Sequence, residues 1–306
     1  MALSLKQRHF RSMNTHNSHT LNSNTSEESE SAATNSSEQV HTAKVAIIGA
    51  GNLGVAIGKG LASKMGASSI WLCRRHLSKI EYLADAGFQL SNQLTKVASQ
   101  VTHLILCVQP HQISDVLREL NPVLDAKKHV IISTLTGVDM AKIEPQLPGA
   151  FPVIRAMPNT AIAIGESMTC ICGNEASKPY IGQVEDWFGT LGESMVIDEE
   201  HMKAATVLAA SGIAFFLRYI RAATQGGIEL GFEAEEALKI ASATAKGAAA
   251  LLMEQGTHPE HEIDKVTTPK GCTIAGLNEM EYQGLSSAVI QGLKKSFDKI
   301  SAIGES

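Results

Sequence analysis

A glycine-rich turn near residue 50 constrains the fold of this chain more than any other sequence feature. It reads Gly49-Ala50-Gly51-Asn52-Leu53-Gly54 and follows the apolar run Val45-Ala46-Ile47-Ile48. Such a run is typical of a parallel strand that is covered on both faces, and residues 52–65 have a helical pattern. Strand, glycine turn and helix in this order predict a Rossmann-type unit. In such a unit the three glycines permit a tight turn, close approach of the backbone to a pyrophosphate and close packing of helix on strand.

Strand and helix patterns alternate after this turn. Further strands are predicted at residues 70–73, 104–108, 130–133 and 153–155, and further helices at residues 78–86, 113–120 and 140–147. This alternation predicts a mostly parallel, doubly wound sheet.

The pattern changes near residue 198. Residues 199–230, 233–255 and 285–300 have helical patterns, with breaks predicted at Gly212 and at Gly226-Gly227. We therefore predict an α/β Rossmann-type doubly wound domain over residues 43–198, followed by an all-α C-terminal domain over residues 199–306. Small residues at positions 209–212 favour close helix packing, either within one subunit or across a dimer.

Residues 1–42 are rich in Ser, Asn, Thr and His and poor in aliphatic residues. Such a composition cannot bury enough apolar surface to offset the entropy of ordering. We predict a disordered N-terminal tail. Lys6, Arg8 and Arg11 give a faint resemblance to a transit peptide, which the later Glu27, Glu28 and Glu30 weaken.

The composition argues against several partner classes. The net charge of −5 argues against non-specific binding to nucleic acid. Five cysteines without a framework spacing predict reduced thiols and a cytoplasmic protein. The most apolar stretch, residues 204–217, is too short to span a bilayer, and we expect a buried helix there. No metal is predicted, and we expect His258 and His261 in a solvated loop.

The end of the second predicted strand indicates which dinucleotide the turn binds. A carboxylate there would hold the ribose 2′-hydroxyl of NAD, whereas Arg accommodates the 2′-phosphate of NADP. The strand ends in Cys73-Arg74-Arg75, which favours NADPH, with NADH as the alternative. The competing interpretation is that these arginines are solvated surface charges.

Three later motifs carry a family resemblance. They are Val108-Gln109-Pro110, Arg155-Ala156-Met157-Pro158-Asn159-Thr160, and the late segment from Val266 to Leu277, which reads VTTPKGCTIAGL. Together with the glycine turn, the chain from about Lys44 onward resembles pyrroline-5-carboxylate reductase. The resemblance implies reduction of 1-pyrroline-5-carboxylate to L-proline, in proline biosynthesis, by a homodimer or a ring of dimers whose substrate sites lie between subunits.

The resemblance also implies roles for individual residues. Those implied to bind the cofactor are Gly49, Gly51, Asn52, Leu53 and Gly54 at the pyrophosphate, Arg74 and Arg75 at the 2′-phosphate, Val108, Gln109 and Pro110 at the nicotinamide ribose, and Met157, Pro158 and Asn159 beside the nicotinamide. Gly271, Cys272 and Thr273, preceded by Thr268, are implied to hold the carboxylate of the imine substrate. The Thr273 hydroxyl is the implied catalytic group at the ring nitrogen. The alternative is that these residues form an ordinary capped helix start.

Several positions depart from the family pattern around the substrate site. They are Gln109, Ala161, Ala210, Ile213, Arg221, Gln225 and Lys270, of which Gln109 replaces a Lys and Lys270 replaces a Gly. Arg221 and Lys270 add positive charge, which suits a more acidic substrate. Two other functions therefore stay open: an NADP-dependent reductase of another imine or of a hydroxy acid, and a non-catalytic NADP-binding regulatory protein.

Overall fold

The structure, a computed structural model, describes residues 44–305 and contains within that range one sheet of eight strands. The strands are β1 Val45–Ile48, β2 Ile70–Cys73, β3 Gln89–Ser91, β4 His103–Leu106, β5 Val130–Ser133, β6 Val153–Met157, β7 Ser167–Gly173 and β8 Gly192–Val196. Their order is β3-β2-β1-β4-β5-β6-β7-β8, and each pair is parallel except the antiparallel pair β6 and β7. The strand order reverses between β1 and β4, which is where ligands bind in open α/β sheets.

Both faces of the sheet are covered, as the apolar runs predict. Side chains alternate between faces along a strand, so Val45 and Ile47 enter one core and Ala46 and Ile48 the other. Every residue of β1, β4, β5 and β6 is buried. The doubly wound, mostly parallel sheet is therefore confirmed.

The helices in residues 44–305 are α1 Asn52–Met65, α2 Leu94–Ala98, α3 Ile113–Leu120, α4 Met140–Ile143, α5 Lys178–Gly189, α6 Met202–Ala205, α7 Gly212–Glu229, α8 Ala234–Gln255, α9 Pro259–Lys265, α10 Cys272–Tyr282 and α11 Leu285–Glu305. A π-helix, Thr206–Ser211, joins α6 to α7. The helical character of the chain after residue 198 is confirmed, and the domain boundary there stays a prediction. The proposed tail, residues 1–42, lies outside the described residues.

Two of the α-helices predicted in the sheet region are replaced, wholly or in part, by 3-10 turns. Instead of a helix over residues 78–86 there are two short 3-10 turns, Leu77–Lys79 and Glu81–Leu83, separated at Ile80 by a backbone that is not helical. The helix predicted at 140–147 ends at Ile143 and passes into a 3-10 turn. Pro145 lies in that turn, and its missing N–H cannot continue the α-helical hydrogen bonds.

The predicted break at Gly226-Gly227 is also wrong, because α7 runs through it to Glu229. A Cβ atom at Gly227 would lie 3.0 Å from the Cβ of Ala237 in α8. The glycine therefore lets α7 and α8 approach closely. It does not end a helix.

The apolar helix that begins at Glu199 is exposed in the single chain, contrary to the expectation of a buried helix. Among the described residues, Glu199–Glu229 is the one stretch long and apolar enough to cross a membrane, and 17% of its most apolar window is buried. Length and composition alone are weak evidence for a membrane span, and exposed apolar side chains on a helix also mark interaction surfaces.

Candidate functional site

The glycine turn has the geometry that a phosphate-binding turn requires. Gly49 has a φ of +98°, and a Cβ atom there would lie 2.6 Å from the carbonyl oxygen of Cys107. A Cβ atom at Gly54 would lie 2.6 Å from the carbonyl oxygen of Gly49. Both positions exclude a side chain, so strand, turn and helix pack at their closest approach.

Gly51 differs from these two glycines because the space beside it is open. A Cβ atom there would meet nothing closer than the carbonyl oxygen of Gly49 at 4.0 Å. Gly51 is the N-cap of α1 and supplies no side-chain cap, and the first turn of α1 has no acidic residue. The backbone N–H groups at this helix start are therefore free to bind an anion, which the helix dipole favours.

Asn52 and Leu53 lie in different environments at the start of α1. Asn52 is exposed, whereas Leu53 is half-buried and packs against the core on the α1 side of the sheet. At Leu53 only the backbone N–H is suited to a phosphate, because its side chain belongs to the core.

A cavity of about 520 Å³ lies over the carboxyl ends of β1, β2 and β4. It brings together six of the predicted cofactor residues, namely Gly49, Gly51, Arg74, Arg75, Val108 and Gln109. His76 and Lys79 also line it, and sequence reasoning missed both. A cluster of basic residues within six positions of the end of β2 was the available signal.

The two arginines of this cavity have different roles. Arg74 is half-buried, and its Nη1 donates to the carbonyl oxygen of Ala50 at 2.8 Å, so it braces the glycine turn. Arg75 is exposed and faces the same cavity. Arg75 and Lys79 are thus the cations best placed for an added phosphate, with Arg74 fixing the turn beside them.

A second cavity, of about 530 Å³, lies along the outer side of α1. Asn52, Lys59 and Thr190 are among its lining residues, and it shares Gly51, Arg74 and Lys79 with the first. Asn52 therefore points away from the cavity over the strand ends.

Gln109 caps the short turn that follows β4. Its backbone N–H donates to Oε1 of Gln112 at 3.1 Å, and Gln109 is exposed. Val108 and Pro110, on either side, are half-buried. Just before them, burial raises the pKa of the Cys107 thiol to about 12, so this thiol is neutral and unreactive.

Met157 and Asn159 lie at the end of β6, where burial fixes Met157 and hydrogen bonds fix the side chain of Asn159. Met157 and Pro158 are buried. The Asn159 side chain accepts from the N–H of Ala161 at 2.9 Å and donates to the carbonyl oxygen of Ala209 at 3.4 Å. Asn159 therefore connects the sheet to the π-helix.

The late motif forms a helix start, as predicted. Gly271 is the N-cap of α10 and donates its N–H to the carbonyl oxygen of Thr268 at 2.9 Å. A Cβ atom at Gly271 would lie 2.5 Å from the hydroxyl oxygen of Thr268, so only glycine fits there. Cys272 is exposed and Thr273 half-buried.

The late motif and the glycine turn do not share a cavity in the single chain. Neither of the two cavities beside the glycine turn is lined by Thr268, Gly271, Cys272 or Thr273 among the described residues. Pro110, Met157 and Asn159 are also outside both linings. The proposed substrate loop and cofactor cleft are therefore separate surfaces of one chain.

The described residues contain one group with metal-ligand spacing, formed by Asp198, Glu200 and His201, whose ligand atoms lie within 4.8 Å of one another. All three are exposed, and exposed acidic groups of this kind are common without an ion. The loop expected at His258 and His261 is wrong at His261, which lies in α9, whereas the exposed His258 is the N-cap of that helix and its Nδ1 accepts from the N–H of Glu260 at 3.3 Å.

A mostly parallel sheet with a glycine-rich turn at its switch point and basic residues after the second strand defines the class of nicotinamide-dinucleotide oxidoreductases. Residues 44–137 match the family model described as NADP oxidoreductase, coenzyme F420-dependent. Residues 199–303 match the model described as pyrroline-5-carboxylate reductase dimerisation.

Curated relatives give the particular family. Over 273 residues the chain is 46% identical to pyrroline-5-carboxylate reductase 1 of Dictyostelium discoideum, covering 85% of this chain and 49% of that relative, so it spans about half of that protein. It is 42% identical to pyrroline-5-carboxylate reductase 2 of the same organism, covering 84% of this chain and 92% of the relative. The chain belongs to the pyrroline-5-carboxylate reductase family.

Solved structures agree with this fold. A pyrroline-5-carboxylate reductase from Coxiella burnetii is 26% identical with a TM-score of 0.81, over 87% of this chain and all, 100%, of that one. A pyrroline carboxylate reductase from Plasmodium falciparum, solved with NADP bound, is 21% identical with a TM-score of 0.76, over 86% and 98% of the two chains. The second likeness concerns the fold alone.

Proposed function

We propose that this chain reduces 1-pyrroline-5-carboxylate to L-proline with NADPH as the hydride donor. Membership in the family and a cleft built for a dinucleotide phosphate support the reaction class. The observation that carries the proposal is the open helix start at Gly51 beside a cavity lined by Arg74, Arg75 and Lys79. A pyrophosphate and a 2′-phosphate both fit this arrangement of backbone donors and cations.

In this proposal the chain's residues divide the binding of the cofactor between them. The N–H groups of Asn52, Leu53 and Gly54 would hold the pyrophosphate, and Arg75 and Lys79 the 2′-phosphate. Val108, Gln109 and Pro110 would lie at the ribose, and Met157 and Asn159 beside the nicotinamide. When bound, NADPH supplies the hydride, and the protein supplies position, charge complementarity and exclusion of water.

Thr273 is the residue that we propose to act at the imine nitrogen. It lies at the start of α10, where backbone N–H groups suit the substrate carboxylate. Its hydroxyl would orient or relay the proton that completes the secondary amine. An imine nitrogen is already basic, so this reaction needs less acid assistance than reduction of a ketone.

The same proposal includes a homodimer, with a ring of dimers as a larger assembly. The helical segment matches a dimerisation model, and α7 exposes Phe216, Leu217 and Tyr219 in the single chain. A substrate site between subunits is favoured because the late motif lines neither cavity at the glycine turn of its own chain.

We also propose that the protein acts in the cytoplasm. The described cysteines are all free, and Cys73, Cys170 and Cys172 are buried as small core residues. This pattern suits a reducing compartment. Fractionation of cells that express the native chain tests the proposal, and recovery with a membrane or organelle fraction would contradict it.

The experiment that tests the reaction measures NADPH oxidation by the purified protein with three substrates. They are 1-pyrroline-5-carboxylate, its six-membered cyclic homologue and a linear imine acid. We expect the five-membered ring to give the highest kcat/KM. Preference for another imine or for a keto acid would reassign the substrate, and NADPH binding without turnover of any would indicate a regulatory protein.

A second experiment tests the choice of cofactor. Replacing Arg75 by Asp and Lys79 by Ser removes two cations and adds a charge that repels the 2′-phosphate, while Arg74, which braces the glycine turn, stays in place. We expect the Kd for NADPH to rise at least about tenfold while that for NADH changes far less, because each charge-assisted hydrogen bond is worth roughly 1.5–3 kcal/mol. A wild type that prefers NADH would contradict the assignment.

A further inference from the structure

We infer that Glu199 is a positioning residue for the proposed reduction, and this inference rests on that proposed function. Its carboxylate fixes strand β6, whose end carries Met157, to the start of the helical segment. Glu199 touches neither cavity at the glycine turn among the described residues. It acts on the nicotinamide side of the site through Arg155.

Three donors from different parts of the sheet region converge on the Glu199 carboxylate. Its Oε1 accepts from Nη1 of Arg155 at 2.9 Å and from the N–H of Met140 at 3.0 Å. Its Oε2 accepts from the thiol of Cys172 at 2.6 Å. These donors belong to β6, to the start of α4 and to β7. One carboxylate at the first residue of the helical segment therefore joins three elements of the sheet region.

Burial makes this contact hard to replace. The Arg155 side chain is 3% exposed and that of Glu199 is 31% exposed. Removing the carboxylate would leave the buried charge of Arg155 unpaired and would strongly destabilise the folded protein. Nε of Arg155 already lacks a partner among the described residues. Burial, followed by the hydrogen bond to Glu199, raises the pKa of the Cys172 thiol, which keeps that thiol protonated as a donor.

A second contact holds β6 just beyond its end. The Asn159 side chain donates to the carbonyl oxygen of Ala209 in the π-helix at 3.4 Å. Met157 lies between Arg155 and Asn159, so the helical segment holds the strand on both sides of it. π-helical turns occur often at functional sites, and this one is where the strand end meets the helices.

The link joins two functional parts of the proposed enzyme. The segment that begins at Glu199 is the one that matches the dimerisation model, residues 199–303. In the proposed dimer these helices carry the substrate loop, and β6 ends beside the nicotinamide. A misplacement of about 1 Å between reacting groups costs roughly a hundredfold in rate, so a fixed joint at this point matters for hydride transfer.

The test compares Glu199→Gln with Glu200→Gln. Glu200 is the next residue of the same 3-10 turn, its side chain is 78% exposed, and its Oε1 lies 3.9 Å from Nδ1 of the exposed His201. We expect Glu199→Gln to lower kcat per folded site at least about tenfold, with the Kd for NADPH within about threefold of wild type. Glu200→Gln should keep both values.

Hydrogen exchange gives a readout that needs no turnover. Glu199→Gln should speed exchange at residues 157–159 and 206–211 together, and Glu200→Gln at neither. A role confined to stability would lower the amount of folded protein and leave kcat per folded site unchanged, which would overturn the inference. Unchanged exchange at the two segments would overturn it as well.

Two further outcomes need a measurement of their own: a variant that does not fold, and a wild type that shows no activity. If Glu199→Gln does not fold, the double variant Arg155→Met with Glu199→Met leaves no buried charge unpaired. A low kcat in that variant supports the inference, and a wild-type kcat overturns it. If the wild type itself reduces no imine, the proposed function fails, and the exchange data alone decide whether Glu199 joins the two segments.

Discussion

Lys270 occupies a backbone conformation that the family pattern reserves for glycine. Its φ is 61°, and it is the one non-glycine residue with positive φ among residues 44–305. A side chain in the left-handed region costs about 1–2 kcal/mol. The chain therefore retains the family's turn before α10 at the expense of stability, which indicates that the turn is needed for the helix start at Gly271.

Replacing Lys270 tests this strain. Lys270→Gly should be more stable than Lys270→Ala by about 1 kcal/mol, because both remove the charge and only glycine removes the Cβ atom. Denaturant unfolding at one protomer concentration gives the difference. Equal stability of the two variants would mean that residue 270 is not held in this conformation.

Thr273 offers a test of catalysis at the same helix start. Thr273→Ala removes the hydroxyl and leaves the backbone donors of α10 in place. Loss of a hydrogen bond made in the transition state costs about 1.5–4 kcal/mol, so kcat should fall roughly ten- to a thousandfold while KM changes less. Thr273→Ser keeps the hydroxyl and should retain most activity.

The outcome that removes Thr273 from the mechanism is an alanine variant with wild-type kcat/KM. NADPH affinity is the control, since Thr273 lines neither cavity at the glycine turn. An alanine variant that also loses NADPH would instead indicate a structural role at the start of α10.

Elements with a continuous apolar run or a clear helical pattern could be predicted from the sequence, whereas three of the eight strands in residues 44–305 could not. The strands β1, β2 and β5 and the helix α1 lie at the predicted residues. Strand β7 had no prediction because Ser167 and Thr169 interrupt its apolar pattern, although both are buried. Their hydroxyl oxygens lie 3.3 Å apart, and Ser167 also accepts from the N–H of Asn159, so tertiary hydrogen bonds replace the missing hydrophobicity.

The other missed strands lie at the edges of the sheet. Strand β3 has three residues, and β8 exposes Met195 and Val196. Edge strands are short and partly solvated, so their sequences lack a continuous apolar signal. Of the candidate site, the glycine turn follows from local spacing, whereas the ion pair of Arg155 and Glu199 joins residues 44 positions apart and has no sequence signature.

Helix α5 and strand β4 meet at a buried histidine, which gives a pH-dependent prediction. His103 is 5% exposed and lies edge-on to Trp187, with 4.7 Å between ring centroids. Burial lowers the pKa of His103 from 6.5 to about 4. Between these values the unfolded chain binds a proton that the folded chain does not, so the free energy of unfolding falls as pH falls from 6.5 towards 4.

The variant His103→Gln tests this contribution. Wild type should lose up to about 1.4 kcal/mol more per pH unit than the variant within that window, and the two slopes should agree above pH 6.5. His111→Gln, at an exposed histidine, is the control and should follow wild type. Parallel curves for all three proteins between pH 4 and 6.5 would contradict the prediction.

At the scale of the whole molecule, the helical segment exposes a series of large apolar side chains, and such groups mark interaction surfaces. Phe216 in α7 is 71% exposed. A charge there would face the proposed dimer interface, so Phe216→Asp should raise the dimer Kd roughly a hundredfold, or about 3 kcal/mol. Tyr82→Asp, at an exposed residue outside residues 199–303, should leave the mass unchanged. Light scattering across a dilution series measures both, and an unaltered Phe216→Asp dimer would exclude α7 from the interface.

Sharing of the site between subunits can be tested by mixing two variants of low activity that are impaired in different parts of the site. Gly51→Val should fold, since a Cβ atom there meets nothing closer than 4.0 Å, but its side chain would occupy the approach of the pyrophosphate. Thr273→Ala keeps that approach and lacks the hydroxyl that we propose to be catalytic.

If cofactor and Thr273 come from different subunits, each mixed dimer contains one site with both parts intact and one with neither. Equal co-expression makes half of the dimers mixed, so activity should reach about a quarter of the wild-type value. If each site lies within one subunit, no mixed dimer contains an intact site, and activity would not exceed that of the two variants measured separately. The mixture therefore distinguishes the two arrangements in a single assay, because neither parent can contribute an intact site by itself.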